Sequence, residues 1–210
     1  MVKINGLTYN YSSEIQLKFP DFSLSKGEQA LILGHSGCGK TTLLHLLSGL
    51  LKPNSGHVNI ENEDISKMSG AALDNFRGAN IGVVFQTAHF IEALTVKENL
   101  TLTQTLAGKS KDIDKIKKLL ADLGVESKLN AKLNALSVGE KQRVSIARAL
   151  YKNPQVLIFD EATGSLDGET ESKLMNTINK FKKDKTIIFV SHKEKPMEFC
   201  NKLFEIKQGK

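Results

Sequence analysis

Gly34-His35-Ser36-Gly37-Cys38-Gly39-Lys40-Thr41 follows the apolar run Gln29–Leu33 and opens a segment of helical character that reaches Leu51. A strand, a glycine-rich turn and a helix in that order begin an α/β unit. The octapeptide matches G-x-x-x-x-G-K-[ST] in full. In such a turn the glycines let the backbone curl until several N–H groups face one anion, at the positive end of the helix dipole. Lys40 is then placed to reach the β- and γ-phosphates of a nucleotide, and the Thr41 hydroxyl to ligate Mg²⁺. The competing reading is a glycine-rich turn with no ligand, but Gly-x-Gly-Lys-Thr serves no packing purpose that would favour it.

Working outward, two further runs, Val156–Phe159 and Thr186–Val190, are short, continuous and rich in β-branched or aromatic residues, as strands buried on both faces should be. Ile81–Phe85 is a third candidate of this kind. A helix over about 168–182 is expected between the last two strands, and strands alternating with helices imply a mostly parallel sheet. Asp160 and Glu161 directly follow Val156-Leu157-Ile158-Phe159. That puts them at the carboxyl edge of the sheet, where open α/β sheets bind ligands. Asp160 suits a Mg²⁺ ligand and Glu161 a general base acting on water. Alone they would read as two solvated carboxylates; beside the phosphate loop they do not.

The flanks read differently. Val2–Tyr11 and Ile15–Ser25, broken by Pro20, suggest an antiparallel meander. From Thr87 to Leu136 the pattern turns helical: Ile113, Ile116, Leu119, Leu120 and Leu123 recur on one face, and Gly124 suits a C′ stop. That stripe is read as core packing. Ser137-Val138-Gly139-Glu140 fits a capping box that opens a helix to about Tyr151.

Composition narrows the class. Of 210 residues, 40% are hydrophobic and 25% charged without a low-complexity tract, so the chain can bury a core in a single domain and is not disordered. The longest apolar stretch, Leu43–Leu51, is interrupted by His45, Ser48 and Gly49, too short to span a bilayer. The start Met1-Val-Lys-Ile-Asn lacks the apolar region of a signal peptide. Cys38 and Cys200 make no disulfide framework, which suits a reducing cytoplasm. The net charge is +6, yet only Arg77, Arg143 and Arg148 are arginines and the lysines are scattered. This is a solvated surface rather than a nucleic-acid footprint.

Together these motifs resemble the ATP-binding cassette (ABC) ATPase family over nearly the whole chain. Leu136-Ser137-Val138-Gly139-Glu140-Lys141-Gln142-Arg143 looks like the family signature, and the order of elements is the family's: phosphate loop, Gln86 after a strand, signature, Asp160-Glu161, then His192 after Val190-Ser191. The resemblance implies an α/β P-loop NTPase fold with an N-terminal antiparallel β subdomain and an inserted helical subdomain. Residues 1–210 would form one such domain, with about 1–86 and 137–210 as the nucleotide-binding core and 87–136 as the helical part. It implies ATP and Mg²⁺ as ligands, with the loop Gly34 to Thr41 and Thr42 around the phosphates. Thr41, Gln86 and Asp160 would attend the metal, Glu161, His192, Gln86 and Lys40 the chemistry, and Tyr11, preferred over Tyr9, would stack on adenine. Ser137, Val138, Gly139, Glu140 and Asp167 would contact the nucleotide of a second copy across a head-to-tail dimer. A separate integral-membrane permease is the implied partner, and the cytoplasmic face of the inner membrane the implied location.

Departures from the family pattern carry expectations of their own. Val138 replaces the usual second glycine of the signature and Glu140 its common glutamine. Cys38 stands where serine is frequent, so maleimide labelling that inhibits, with protection by ATP, is expected. The segment from Phe85 to Leu100, with Phe90, Ile91 and Leu94, fits either a docking surface for the permease or ordinary core of the helical lobe. The chain ends about twenty residues after His192, without the C-terminal extension usual in sugar importers. With Phe85-Gln86 and Gly164-Ser165-Leu166-Asp167 it resembles the lipoprotein-release, macrolide-export and cell-division group. Export or lipoprotein release is the expected role; a regulatory module of the cell-division type is the alternative, and a soluble translation ATPase is disfavoured.

Overall fold

The computed structural model describes residues 1–12, 15–106, 110–162, 168–179, 184–192 and 195–207. In chain order the strands and helices are β1 (Val2–Asn10), β2 (Gln16–Lys18), β3 (Phe22–Leu24), β4 (Gln29–Gly34), α1 (Lys40–Leu47), β5 (Ser55–Ile60), β6 (Glu63–Asp64) and α2 (Gly70–Asn80). They continue with β7 (Ile81–Val84), α3 (Val96–Leu106), α4 (Ile113–Asp122), α5 (Val138–Tyr151), β8 (Val156–Asp160), α6 (Gly168–Asn179), β9 (Thr186–Ser191) and β10 (Lys202–Ile206).

The site rests on a parallel sheet of order β10-β4-β9-β8-β7. Its central strands are continuously apolar between their ends because both faces are covered. Leu31, Leu157, Phe159, Ile187 and Phe189 pack beneath α3 to α6, while Ala30, Ile32, Ile158, Ile188 and Val190 pack with α1 and the second sheet. Phe159 and Phe189 stack at 5.1 Å across neighbouring strands. β10 escapes the apolar-run criterion because it is an edge strand with alternating exposure.

The second sheet, β2-β1-β5-β6 with β3 also on β1, is antiparallel. It is not the expected meander. β2 pairs with the end of β1 (Thr8 opposite Lys18) and β3 with its beginning (Val2 opposite Leu24). The segment broken at Pro20 therefore lies along β1 as one interrupted hairpin arm, and the other edge of β1 is taken by β5.

Helix ends follow local chemistry. α1 stops at Leu47, four residues before the expected Leu51. Gly49 turns left-handed (φ +66°), and the N–H groups of Gly49 and Leu50 close on the carbonyls of Leu46 and His45 at 3.1 and 2.8 Å. That is a Schellman closure. α4 ends likewise before Gly124 (φ +67°) and buries Ile116, Leu119 and Leu120. α2 has no fully buried residue and two glycines, so no apolar stripe announced it; Leu73 and Phe76 only part-bury against the core.

Pairing of β1 with β5 shifts register between Asn5 and Thr8, where two residues, Gly6 and Leu7, oppose Gly56. Gly56 has φ +84°, and a Cβ there would lie 2.3 Å from the Gly6 carbonyl oxygen. Gly6 (φ +59°) has open space where its Cβ would stand. Gly56→Ala is therefore expected to lower stability in urea unfolding by about 1–3 kcal/mol. Gly6→Ala should cost only the left-handed penalty, about 1 kcal/mol; equal costs would count against this bulge geometry.

Candidate nucleotide site

β4 delivers the chain into the phosphate loop with no room to spare. A Cβ on Gly34 would lie 2.4 Å from Cys38 Sγ and 2.8 Å from the carbonyl oxygen of Ile206. Gly37 and Gly39 turn left-handed (φ +79° and +103°). Gly39 is the N-cap of α1 and offers no side-chain cap, and no acidic residue sits in the first turn. The first N–H groups of α1 are thus without a side-chain acceptor at the positive end of the helix, the arrangement that suits an anion. Lys40 is buried, and its Nζ donates to the carbonyls of Gly34 (2.7 Å) and His35 (2.9 Å). The ammonium is held directly over the loop.

The parallel register brings the remaining groups to the same edge. Asp160 and Glu161 leave β8, His192 leaves β9, and Gln86 follows β7 by one residue beyond Phe85. Gln86 Nε2 donates to Glu161 Oε2 at 3.2 Å, and His192 Nδ1 hydrogen-bonds Glu161 Oε1 at 3.0 Å. Glu161 itself is left-handed (φ +46°), a strained conformation for a residue with a Cβ. Its N–H is tied to the Val190 carbonyl at 2.9 Å, which fixes the strained turn. Burial pushes the Asp160 carboxyl above the usual range; adjacent Glu161 adds to this, while His45 and Lys40 oppose it.

These residues line one cleft of about 1040 Å³, at the upper end of small-molecule sites of about 300–1,000 Å³. Gly34 to Gly37, Gly39 to Thr42, Gln86, Asp160, Glu161, His192 and Tyr11 all face it. Tyr11 is exposed and shares a hydrogen bond of 2.5 Å with Thr42 Oγ1, while Tyr9 meets its ring edge-on and part-buries against the core. The cleft belongs to Tyr11. Two further lining residues, Leu17 and Glu205, lie on β2 and β10 and carry no sequence signal. A glycine cradle, uncapped N–H groups, a fixed ammonium and a desolvated carboxylate together fit a nucleotide phosphate chain with a divalent cation.

Not every expected residue joins the cleft. The Cys38 side chain is 7% exposed and packs into the core behind the loop, which argues against the expected labelling and ATP protection of this thiol. Its Sγ occupies the space that Gly34 leaves. Phe90 packs on the helical core and under the Arg148 guanidinium (4.7 Å), which favours its reading as core. Ser137, Val138, Gly139 and Glu140 do not line the cleft of their own chain. Asp167, with Ser165 and Leu166, lies outside the described residues. The structure adds Gln142, whose buried amide donates to the Phe85 carbonyl at 3.1 Å and fastens α5 to the end of β7 next to Gln86.

A strand–loop–helix phosphate site at the edge of a parallel sheet, with a carboxylate held by a glutamine and a histidine, defines a nucleotide-hydrolysing α/β domain. Residues 17–164 match the ABC transporter family, and the chain belongs to that family. It is similar to the lipoprotein-releasing system ATP-binding protein LolD of Syntrophotalea carbinolica, 36% identical over 200 residues that cover 91% of this chain and 88% of the relative. It is also similar to the macrolide export ATP-binding/permease protein MacB of Campylobacter fetus, 37% identical over 211 residues, 99% of this chain but 33% of that longer protein. Among solved structures it resembles the dimeric, post-hydrolysis ATP-binding cassette MJ0796 bound to ADP and Pi, with TM-score 0.92 and 32% identity, covering 100% of this chain and 95% of that one. The chain is accordingly an ATP-binding, ATP-hydrolysing ABC domain. Among the described residues no helix is long and apolar enough to cross a membrane.

Two outcomes follow from this geometry. Because the folded Asp160 carboxyl binds its proton more tightly than the unfolded one, its contribution to stability is full below the ordinary carboxylate value and is lost as pH rises through the raised folded value. Asp160→Asn should therefore raise the melting temperature of the nucleotide-free protein at neutral pH, and the gain should vanish in acid; a lower melting temperature at neutral pH would contradict the assignment. Maleimide should leave Cys38 unlabelled in the native protein with or without ATP, and label it in guanidinium. Cys200, part-buried with its thiol pushed up to about 12, should also resist. Rapid native labelling of Cys38 would overturn its burial.

Proposed function

We propose that this chain is the ATP-hydrolysing subunit of an ABC transporter, closing head to tail with a second copy around two Mg-ATP and driving a separate membrane permease in export or lipoprotein release. The observation that carries the reading is the Glu161 carboxylate, held at the mouth of the phosphate cleft by Gln86 and His192. The two hydrogen bonds fix the orientation of the Glu161 carboxylate, which supports its role as the base for the water that attacks the γ-phosphate in line. Glu161 accepts the proton of that water, Gln86 orients it, and His192 steadies the carboxylate and faces the γ-phosphate. Lys40 leaves its loop carbonyls for the β- and γ-oxygens. Thr41, Asp160 and Gln86 would hold Mg²⁺, which neutralises charge developing on the phosphates.

The second copy enters because the signature lies off the cleft of its own chain, with Val138 70% exposed. Ser137 and the N–H groups of Val138 and Gly139 form a second anion-binding helix start, which would close over the partner's ATP. Loss of the γ-phosphate removes that bridge and opens the dimer. A second groove, between Arg77 and Arg148 and floored by Val83 and Phe85, adjoins Gln86 in sequence. Its rim is mixed in charge, with Arg77 paired to Asp74 at 2.7 Å beside Arg148 and Lys152, and its apolar lining suits an amphipathic cytoplasmic segment of the permease, through which movement at Gln86 would reach the membrane. The names of the similar proteins LolD and MacB support lipoprotein release or export as the setting.

Glu161→Gln is the test, read by light scattering and phosphate release together. Removing a general base should slow hydrolysis by about 10²–10⁴-fold while binding survives. The variant should accumulate as a dimer with ATP and remain a monomer with ADP. Hydrolysis at the parental rate would remove Glu161 from its role, and ATP binding without dimer would remove the shared site.

A further inference from the structure

The signature helix α5 carries an acidic residue where an anion is to be bound. Glu140 sits at the third position of the helix, one turn from the Ser137 hydroxyl and the Val138 and Gly139 N–H groups. A free carboxylate there would repel a triphosphate and compete for the same donors. It is not free. Glu140 Oε2 accepts from the Ser137 N–H at 2.8 Å, and the Glu140 N–H donates to Ser137 Oγ at 3.2 Å, closing a capping box. The other carboxylate oxygen, Oε1, pairs with Lys128 Nζ at 3.2 Å.

Lys128 comes from a different element, the short 3₁₀ turn Glu126–Lys128 that follows α4. That turn is anchored by Val125, buried in the helical core, and by the hydrogen bonds Lys128 N to Val125 O (3.1 Å) and Ala131 N to Lys128 O (2.9 Å). The lysine is therefore presented to Glu140 by the fold of the helical lobe. The Glu140 carboxyl is held below the usual range chiefly by the Ser137 N–H, against a burial cost and with help from Lys128, so it stays charged. The box uses Ser137 Oγ as an acceptor and leaves its O–H proton unspent, and the outward side chain of Val138 leaves the turn uncovered.

We propose that Lys128 is a positioning residue for the signature: it neutralises Glu140 and holds that carboxylate back on Ser137, so that Ser137 O–H and the adjacent N–H groups remain available to a nucleotide phosphate presented by a second copy of the chain. The inference rests on the dimer reading given above and deepens it by assigning the charge balance of the contact. Glutamine at this position can close the same box without a charge, and then Lys128 has nothing to offset. The pair is part-buried but reaches solvent, 35% exposed at Lys128 and 21% at Glu140, so its contribution to folding is modest and its main effect appears in anion binding.

The test is a double-mutant cycle in the Glu161→Gln background, titrating ATP and reading dimer by light scattering, with nucleotide-free melting temperatures alongside. Lys128→Met is expected to raise the ATP concentration for half-dimerisation by about tenfold, about 1.4 kcal/mol, with an unchanged melting temperature. Lys128→Arg should stay within about twofold of the parent. Glu140→Gln should dimerise at least as readily as the parent, and adding Lys128→Met to it should cost nothing further. A Lys128→Met protein that dimerises like the parent overturns the proposal, as does an equal loss in the Glu140→Gln background or a loss that tracks a lower melting temperature. If the parent binds ATP and stays monomeric, the dimer reading fails and this inference falls with it.

Discussion

Parallel hydrogen bonding across β4, β9, β8 and β7 makes four chain segments, remote in sequence, end on one edge of one sheet. Leu33 lies opposite Ser191, Asp160 opposite Val190, and Val84 opposite Phe159. One residue after each strand end the chain reaches a phosphate-loop residue, His192, Glu161 or Phe85, the last followed by Gln86. A slip of one residue in any ladder would send alternate side chains to the other face and unmake both the core and the cleft. The apolar packing on the two faces of the sheet, with Phe159 on Phe189 on one side and Ile158 and Ile188 on the other, fixes that register. The chemistry is a by-product of how the core packs.

Groups at that edge are held in states the isolated chain would avoid. Glu161 keeps a left-handed backbone because its N–H is bound to Val190 and its carboxylate to two partners. Asp160 holds its carboxyl where burial and adjacent Glu161 disfavour its charged form. Lys40 is folded onto the carbonyls of its own loop. These costs are borne by the rigid sheet below, and they leave the carboxylates, the glutamine and the histidine already gathered at one edge, so that Lys40 is the group that must change partners when a phosphate arrives.

One chain nevertheless presents two unlike half-sites. The cleft has loop, carboxylates, glutamine and histidine; the start of α5 has an uncovered helix terminus and an exposed valine. Each lacks what the other supplies, and in the proposed dimer two copies related by a two-fold axis would satisfy both at once. The helical lobe then serves more than packing. It carries Lys128 to Glu140, while Gln142 ties the same helix to the strand that leads to Gln86. The signature and the glutamine are thus fastened to one rigid element.

Much of this was legible in local sequence. The phosphate loop, the strand that ends in Asp160-Glu161, the apolar stripe of α4 and the capping box of α5 each depend on residues within about one turn or one strand, where spacing dictates geometry. Tertiary structure decided the rest. β10 and α2 have no continuous apolar face, since an edge strand and a surface helix bury too little to leave a pattern. Cys38 looked like a loop residue facing ligand, but the side of a tight turn on which a side chain falls depends on the room that Gly34 and the β10 backbone leave. The convergence of Gln86 and His192 on Glu161, and of Lys128 on Glu140, joins residues 75, 31 and 12 positions apart (161−86, 192−161 and 140−128). Sequence fixes what each group can bond; only the packed fold, through sheet register and helix placement, decides which of them meet.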